Sequence, residues 1–198
     1  MEQNTMLEHL QDICEQFYGE RLKAEDLQRL LSISQIRVFP KGEIIQGIQQ
    51  KLTHSGLILS GLVRSYYLDM EGNEITRNFH KEGYLVIEEG LLGYEYSLGA
   101  SEALEDTTIL LMDTEKLKRL VKERESLKNI YIACLEWGIR YKIYRESEFL
   151  TKNATDRYLQ FCEDYPELVN RVKQSYISTY LGITPESLSR IRRTLKEN

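Results

Sequence analysis

The sequence has no apolar run of membrane-spanning length, and residues 1–5 form neither a basic nor an apolar leader segment. The first absence argues against a transmembrane helix and the second against a secretory signal. We therefore expect a cytoplasmic protein with no membrane partner. The rest of the composition is ordinary for a globular chain, because 198 residues that are 41% hydrophobic and 29% charged suffice for one or two domains.

Cysteine and histidine are sparse, with three residues of each type. They are scattered along the chain at Cys14, Cys134, Cys162, His9, His54 and His80. Neither the odd number of cysteines nor their wide spacing fits a disulfide framework, a zinc site or an iron–sulfur site. An enzyme on a metal-holding, cupin-like barrel would need clustered histidines and carboxylates at short spacing. We therefore expect no metal, no cofactor and no enzymatic activity.

Basic residues are concentrated near the C-terminus. Between Arg171 and Lys196 there are six basic residues and one acid, Glu186, so this segment carries 6 − 1 = +5. Because the formal net charge of the chain is −5, the remainder carries −5 − 5 = −10. A local basic patch of this kind is typical of a surface that neutralises nucleic-acid phosphates. The acidic remainder argues against general coating of nucleic acid.

The same segment has the pattern of two short helices joined by a tight turn. Ile177, Tyr180 and Leu181 fall at i, i+3 and i+4, which gives the first helix one apolar face. Gly182 suits the left-handed residue that ends a helix, and Thr184–Pro185 supplies an N-cap followed by a residue favoured at the first helical position. The pattern predicts a helix-turn-helix whose second helix has a polar, arginine-bearing face. The alternative is an amphipathic helical hairpin whose arginines are merely solvated.

Between residues 35 and 113 the pattern changes to short runs rich in β-branched and aromatic residues. Turn signals at Pro40–Glu43, Met70–Glu74 and Lys81–Gly83 divide these runs. Many short strands at such intervals predict an antiparallel β-roll of jelly-roll type. Helical spacing before residue 32 and after residue 113 predicts flanking helices, so the expected fold class is α+β.

A long helix is predicted for residues 126–150. Six apolar or aromatic residues recur along it at alternating steps of three and four: Leu127, Ile130, Cys134, Trp137, Tyr141 and Tyr144. This predicted seam, sustained over about two and a half heptads, favours pairing with a second copy of the helix in a homodimer. The alternative is a helix packed on its own sheet. A symmetric dimer is also what a helix-turn-helix needs to read a two-fold operator.

Several motifs occur along the chain in a recognisable order: Phe39–Glu43, Leu57–Arg64, Asp69–Glu74, the long helix and Leu181–Arg190. On these residues the chain resembles the Crp/Fnr family of bacterial transcription regulators over nearly its whole length, and the last motif is the most specific. The resemblance implies a cyclic-nucleotide-binding-like β-roll in residues 1–125 and a dimerisation helix in residues 126–150. It also implies a winged-helix-like DNA reader with a reduced wing in residues 151–198.

The resemblance also assigns roles to residues of the second helix. Glu186 and Arg190 match the family's base-reading positions, where a carboxylate accepts from cytosine N4 and a guanidinium binds guanine O6 and N7. Ser187 is a third base-reading candidate. The expected phosphate contacts, which position the protein without specifying sequence, are Lys173, Thr184, Ser189, Arg192 and Arg193. Double-stranded DNA and a second copy of the chain are the expected partners, and RNA polymerase is a further candidate.

The β-roll departs from family members that bind cyclic AMP. Those members carry a Gly-Glu pair and a later Arg-Ser or Arg-Thr step, whereas residues 83–115 of this chain contain no arginine or lysine. Since nearby glutamates would repel a phosphodiester, we expect no cyclic nucleotide binding.

Three interpretations of the roll then stay open: a less anionic effector, no ligand, or a protein partner. The candidate pocket for an effector is lined by Tyr84, Glu88, Leu91, Tyr94 and Tyr96. A rival interpretation of the whole chain is a small-ligand sensor module that regulates a partner protein.

Overall fold

The computed structural model describes residues 3–197; residues 1, 2 and 198, at the ends of the predicted first and last domains, lie outside that range. The first helices are α1 (Gln3–Tyr18) and α2 (Ala24–Ser32). Within the described residues eight strands follow: β1 (Ser34–Phe39), β2 (Ile44–Gln46), β3 (His54–Ser60), β4 (Leu62–Leu68), β5 (Glu74–Lys81), β6 (Leu85–Val86), β7 (Ala100–Ala103) and β8 (Thr107–Asp113). A single turn of 3-10 helix, Glu88–Gly90, lies between β6 and β7.

Five helices follow the last strand: α3 (Thr114–Glu123), α4 (Glu125–Thr151), α5 (Ala154–Asp164), α6 (Gln174–Tyr180) and α7 (Pro185–Glu197). The α+β class and the long helix predicted for residues 126–150 are therefore confirmed. None of the described helices combines the length and the apolarity that crossing a membrane requires.

The strands form two four-stranded sheets, ordered β1-β8-β3-β6 and β2-β7-β4-β5. Strands β1 and β8 pair antiparallel, with Ser34 opposite Met112 and Phe39 opposite Thr107. Strand β3 pairs antiparallel with β8 on one side and with β6 on the other. This arrangement confirms the predicted antiparallel β-roll.

Alternation along the strands creates two cores on opposite faces of the first sheet. Ile58 on β3 joins a cluster that draws residues from both sheets, whereas its neighbours Leu57 and Leu59 join a different cluster. This is the period-2 pattern expected of a sheet buried on both faces. The first cluster, which we call the inner core, consists of Phe39, Leu52, Ile58, Val63, Val86, Ile87, Ala103, Ile109 and Leu111.

The other face of the first sheet packs against helices. The buried residues there, which we call the outer core, come from β3, β8, α1, α2, α3 and the start of α4, together with Leu22 between the first two helices. They include Leu10 and Cys14 of α1 and Leu127 of α4. The helices that flank the strands in the sequence therefore bury one apolar face each against the roll.

The chain divides into two compact units. The first, which we call the roll unit, comprises residues 3–65 and 79–137; the second, the α6–α7 unit, comprises residues 66–78 and 138–197. These limits fall within β4, within β5 and within α4. The predicted domain limits at residues 125 and 150 instead follow the ends of the long helix.

Candidate functional site

The turn between α6 and α7 depends on Gly182. This residue has φ +67°, and a Cβ built on it would lie 2.7 Å from Cε1 of Phe149. Two backbone hydrogen bonds close the turn, from Gly182 N to Thr179 O at 3.1 Å and from Ile183 N to Ser178 O at 3.0 Å. Only glycine enters this left-handed conformation without steric cost, so the predicted role of Gly182 in ending the first helix has a direct structural basis.

Helix α7 begins as the sequence pattern suggests. The Thr184 hydroxyl accepts a hydrogen bond from Ser187 N at 3.2 Å, and Pro185 is the first helical residue. Hydrogen bonds from the backbone N–H of Glu186 and from the Thr184 side chain lower the pKa of the Glu186 carboxyl. Glu186 is therefore a carboxylate at neutral pH, the form that accepts hydrogen bonds.

One face of α7 is exposed and polar. Glu186, Ser189, Arg190 and Arg193 are exposed, and their spacing places them on one side of the helix. Leu188, on the opposite side, is buried. Among residues 3–197, no ion pair involves Arg190 or Arg193.

The remaining predicted DNA-contacting residues lie around this face. Thr184 and Lys173 are exposed, whereas Ser187 and Arg192 are half-buried. Lys173 directly precedes α6, and its Nζ lies 5.0 Å from the centre of the Tyr176 ring. The predicted base-reading and phosphate-binding residues of α7 are thus brought together on one helix, and Lys173 lies at the start of the preceding helix.

Two arginines fix the C-terminal end of α6. Arg145 donates to Tyr180 O at 2.6 Å, and its guanidinium lies 3.7 Å from the centre of the Tyr180 ring. Arg157 donates through Nε to Leu181 O at 3.2 Å. Carbonyls at a helix C-terminus lack intrahelical partners, so cationic donors are favourable there. The interhelical turn is therefore held by side chains of α4 and α5.

The hairpin between β4 and β5 contributes to the same unit. The Thr179 hydroxyl of α6 donates to Thr76 Oγ1 at 2.9 Å and accepts from Thr76 N at 3.2 Å. At the tip of the hairpin, Asp69 accepts backbone hydrogen bonds from Glu71 and Asn73, each at 2.9 Å. Together with the Asn73 side chain, these bonds lower the pKa of Asp69 and make the tip a defined turn.

The six residues of the predicted seam on α4 contact the chain itself. Leu127 is buried in the outer core and Ile130 packs against it. The Trp137 ring lies 4.6 Å from that of Tyr84, the Tyr141 hydroxyl is 3.2 Å from that of Tyr180, and Tyr144 donates to Asp164. Cys134 faces the outer core. These are contacts within one chain, and Trp137 and Tyr144 are also 44% and 40% exposed, so the seam stays a prediction as a dimer face.

A second apolar row on α4 is exposed. It consists of Ile132, Ile139, Ile143 and Leu150, with exposed fractions of 42%, 59%, 61% and 78%. The steps between these residues are seven, four and seven. At 3.6 residues per turn, this exposed stripe lies on the side of the helix opposite the predicted seam. This row is therefore an exposed apolar surface of α4, distinct from the predicted seam.

The fold can be placed among known proteins on this geometry. Residues 36–124 match the family model of the cyclic nucleotide-binding domain. FixK2 of Bradyrhizobium japonicum has a similar structure, with a TM-score of 0.73, 22% identity, and coverage of 83% of this chain and 85% of that one. The c-di-GMP responsive regulator CLP of Xanthomonas campestris follows at 0.72 and 18% identity, with 88% and 92% coverage.

A protein of Eubacterium rectale described as a transcriptional regulator of the Crp/Fnr family aligns at a TM-score of 0.72 and 19% identity, with 88% and 84% coverage. The chain has the Crp/Fnr fold. A search of curated protein sequences found no significant match. The fold that the resemblance implied is confirmed, and the function of the Crp/Fnr-like chain rests on its own residues.

The predicted effector-pocket residues of this Crp/Fnr fold all lie in the roll unit, between the end of β5 and the start of β7. Tyr84 lies between Phe17 and Trp137, with ring centres 6.5 and 4.6 Å away, and Leu91 packs against the outer core. Glu88 begins the 3-10 turn and is half-buried. Tyr94 and Tyr96 are 48% and 46% exposed. As the lining of an effector pocket, these five residues stay a prediction.

Ile87 carries a feature that sequence reasoning missed. Its φ is +59°, a left-handed conformation that strongly disfavours β-branched residues, and its side chain is 4% exposed within the inner core. Ile87 directly precedes Glu88. The residue with a glycine-like backbone conformation before this glutamate is therefore an isoleucine rather than a glycine. An isoleucine side chain therefore fills space in the roll that a glycine would leave open.

The roll also contains a buried cation that the sequence did not flag. Arg64 is fully buried, and its Nη1 lies 3.3 Å from Glu102 Oε2. It follows Val63, an inner-core residue, so its side chain is on the opposite face of β4. The charge of Arg64 is thus matched by a carboxylate outside the inner core.

On the inner side of the second sheet, two serines and a histidine form a hydrogen-bonded group. The Ser65 hydroxyl is 3.0 Å from His80 Nε2 and 3.1 Å from Ser101 Oγ. All three residues are buried. Within residues 3–197, no cluster of three or more histidine, cysteine or acidic side chains is suited to hold a metal ion.

Proposed function

We propose that the protein is a sequence-specific, DNA-binding transcription regulator that acts as a homodimer and is not controlled by cyclic AMP. In this proposal α6 and α7 act as a helix-turn-helix, and α7 enters the major groove. The observation that carries it is the exposed face of Glu186, Ser189, Arg190 and Arg193 on a helix whose start is fixed by Gly182. This is the arrangement by which a recognition helix presents side chains to base edges.

Each residue of the face has a role that follows from its chemistry. Glu186, as a carboxylate, accepts from cytosine N4, and Arg190 donates to guanine O6 and N7. Ser187, at the N-terminal end of α7, is the third base-reading candidate. Contacts to phosphates are assigned to Lys173, Thr184, Ser189, Arg192 and Arg193, which supply affinity but no direct sequence information.

Local charge supports DNA as the partner. Residues 171–196 carry +5 in a chain of net charge −5. Cations concentrated at one end of an acidic chain direct the approach of a polyanion to that end. The affinity for DNA should therefore fall steeply as salt concentration rises. Bound DNA would then place the regulator where it recruits or blocks RNA polymerase.

The proposed dimer uses the exposed stripe on α4. Ile132, Ile139, Ile143 and Leu150 repeat with heptad spacing, so two copies of the helix can bury them against each other. Burying an isoleucine side chain contributes roughly 1.5–3 kcal/mol, and a symmetric dimer buries each residue twice. The proposed homodimer thus keeps the helix of the sequence prediction but changes its contact residues.

A pair of adjacent substitutions distinguishes the two registers. We expect Ile143→Ala to weaken dimer association by roughly 10- to 100-fold in sedimentation equilibrium, because two exposed apolar side chains leave the interface. Tyr144→Ala should leave the association constant nearly unchanged, because Tyr144 bonds Asp164 of its own chain. The reverse result would restore the seam of Leu127 to Tyr144 as the dimer face.

The roll does not support control by cyclic AMP. Ile87 and its neighbours pack the inner core, and residues 83–115 contain no cation to pair with a cyclic phosphate. The two serines in residues 83–101 follow Tyr96 and Ala100 rather than arginine. A negatively charged ligand would lose hydration there without gaining a charged partner.

The match to the cyclic nucleotide-binding domain favours one competing function, a ligand-sensing module that regulates a partner protein. Calorimetric titration with cyclic AMP and cyclic GMP separates the two functions. We expect no heat of binding from either nucleotide. Micromolar binding of one of them, combined with failure to select DNA, would replace our proposal with the sensor module.

The test of DNA reading is selection of bound sequences from a random DNA pool with purified full-length protein and no added ligand. We expect a two-fold symmetric motif whose half-sites are about one helical turn apart. Arg119→Ala, which removes an exposed arginine of α3 outside the α6–α7 unit, should enrich the same motif. A folded dimer that enriches no motif would contradict ligand-independent DNA binding.

A further inference from the structure

The outer core contains a partly open cavity of about 60 Å³. Leu57, Leu85 and Met112 line one side of it, on strands of the first sheet. Their strand neighbours Ile58 and Val86 belong to the inner core. Since side chains alternate between the faces of a sheet, the cavity and the inner core lie on opposite faces. The cavity is therefore separate from the interior of the roll.

Helices close the other side of the cavity. Leu10 and Cys14 of α1 face it, together with Leu117 of α3 and with Leu127 and Cys134 of α4. Together with Leu30 of α2, these helices line the space over the sheet. The first half of the long helix is thus part of the cavity wall, so whatever fills the cavity also contacts α4.

The wall carries no charge. Burial raises the pKa of the Cys14 thiol to about 12 and that of the Cys134 thiol to about 11, so both are protonated at neutral pH. Burial also raises the pKa of the Tyr18 hydroxyl, which donates to Gly83 O at 2.5 Å. The polar atoms of the wall are neutral, and the Tyr18 proton is already directed to a backbone carbonyl. The surroundings favour an uncharged, apolar molecule.

Cavity size and cavity chemistry together define the ligand class. Roughly 10–15 Å³ suffices to hold one water molecule, whereas an apolar cavity that stays dry and binds benzene or xenon has about 150 Å³. The cavity here lies between these sizes, so it suits an apolar molecule smaller than benzene. Unfilled space in a core costs on the order of 20–25 cal/mol per Å³, because the surrounding atoms lose contacts. A small apolar molecule would recover part of that loss.

We propose that the outer-core cavity binds a small, neutral, apolar molecule smaller than a single aromatic ring, and that this cavity is the effector site of the roll unit. The effector role rests on the proposed function as a DNA-binding regulator. Binding in the cavity is independent of that function. This assignment moves ligand recognition from the inner side of the first sheet to its outer side.

Occupancy of the cavity has a physical route to α4. A ligand that contacts Leu127 and Cys134 stabilises the packing of the first half of α4 on the sheet. If the proposed dimer requires that packing, ligand and DNA favour the same conformation of the chain. By linkage, a ligand that raises the affinity for DNA has its own affinity raised by the same factor when DNA is bound.

Binding is tested with xenon on the full-length protein. At a ligand concentration about ten times its Kd, we expect Tm to rise by roughly 2–4 °C. Cys134→Met and Cys14→Met place a larger side chain in the cavity from opposite sides, and each should abolish the shift. Cys162→Met is the matched control, since Cys162 lies on α5 and is absent from the cavity wall. It should retain the full shift.

The effector role is tested by measuring operator affinity with and without xenon at saturating pressure. We expect a change of roughly 5-fold or more in wild type and in Cys162→Met, and none in Cys134→Met. No Tm shift in wild type, or an equal shift in the two filled variants, would overturn the site. A Tm shift without any change in operator affinity would overturn the effector role. If the protein selects no DNA, the proposed regulator function fails, but the Tm result still decides the site.

Discussion

Arg190 and Arg193 are exposed on α7 without an ion-pair partner among the described residues, whereas Arg64 of the roll is fully buried against Glu102. Arginine therefore has two different roles in this protein. The guanidinium groups on α7 are exposed and have no ion-pair partner within the described residues, so a polyanion can supply the anionic partner. In the roll that partner is already part of the chain. Unpaired charges on a surface are available to bind a ligand, whereas paired charges in an interior avoid the cost of burying an unpaired charge.

The largest effect is expected where the turn positions α7. Gly182→Ala places a Cβ near Phe149 and forces a left-handed residue, so we expect the free energy of unfolding to fall by about 2–4 kcal/mol. Gly138→Ala is the control, because a Cβ at this helical glycine meets nothing within 4 Å. That variant should gain up to about 1 kcal/mol in urea unfolding. Equal stability of both variants would show that the turn tolerates other conformations.

The next effect concerns the interior of the roll. Ile87→Gly loses a buried side chain but relieves a strained backbone, and we expect a net loss of about 1–3 kcal/mol in urea unfolding. Gln49→Gly is the control, since Gln49 also has positive φ, at 57°, but is exposed. Its stability should be unchanged or slightly raised. Ile87→Gly should still bind no cyclic AMP, because the matching cation is absent; binding at micromolar affinity would show that Ile87 alone blocks the site.

On α7, Arg190→Ala should cost about 1–3 kcal/mol at its cognate base pair and relax specificity there. The measurement is a set of Kd values for the selected operator and its single-base variants. Arg119→Ala serves as the control for loss of one surface charge. If Arg190→Ala bound the operator variants in the wild-type order and with the wild-type ratios of Kd, Arg190 would not read a base.

The smallest effect is expected for Arg193→Ala. Loss of one phosphate contact should weaken binding to all DNA sequences alike, by about 1 kcal/mol or less. The slope of log Kd against log salt concentration should become shallower by about 1, because one fewer counterion is released. A sequence-dependent loss would instead move Arg193 to the base-reading group.

The turn of the α6–α7 unit was predictable because its requirements are local. Gly182, Thr184 and Pro185 each satisfy a backbone need within one or two residues, and the structure places them in those roles. Such positions depend little on the rest of the fold. The helix boundaries in this region therefore follow the sequence pattern closely.

The contact face of α4 was not predictable in the same way. Both the predicted seam and the exposed stripe repeat with heptad-like spacing, so periodicity alone cannot say which side meets the chain's own core. The choice depends on residues far away in the sequence, such as Tyr84 and Tyr180. The same holds for Ile87 and Arg64, whose conformation and burial oppose the usual preferences of their residue types.

The assignment of residues 66–78 to the α6–α7 unit means that the backbone passes between the two compact units three times rather than once. A single crossing would let each unit be cut out as an independent piece. With three crossings, a fragment of residues 151–198 loses the Thr76–Thr179 bonds and the Arg145 contact with α6. The α6–α7 unit also contains contacts between residues 103 positions apart, such as Thr76 and Thr179. Contacts of such high sequence separation raise the contact order, which slows folding.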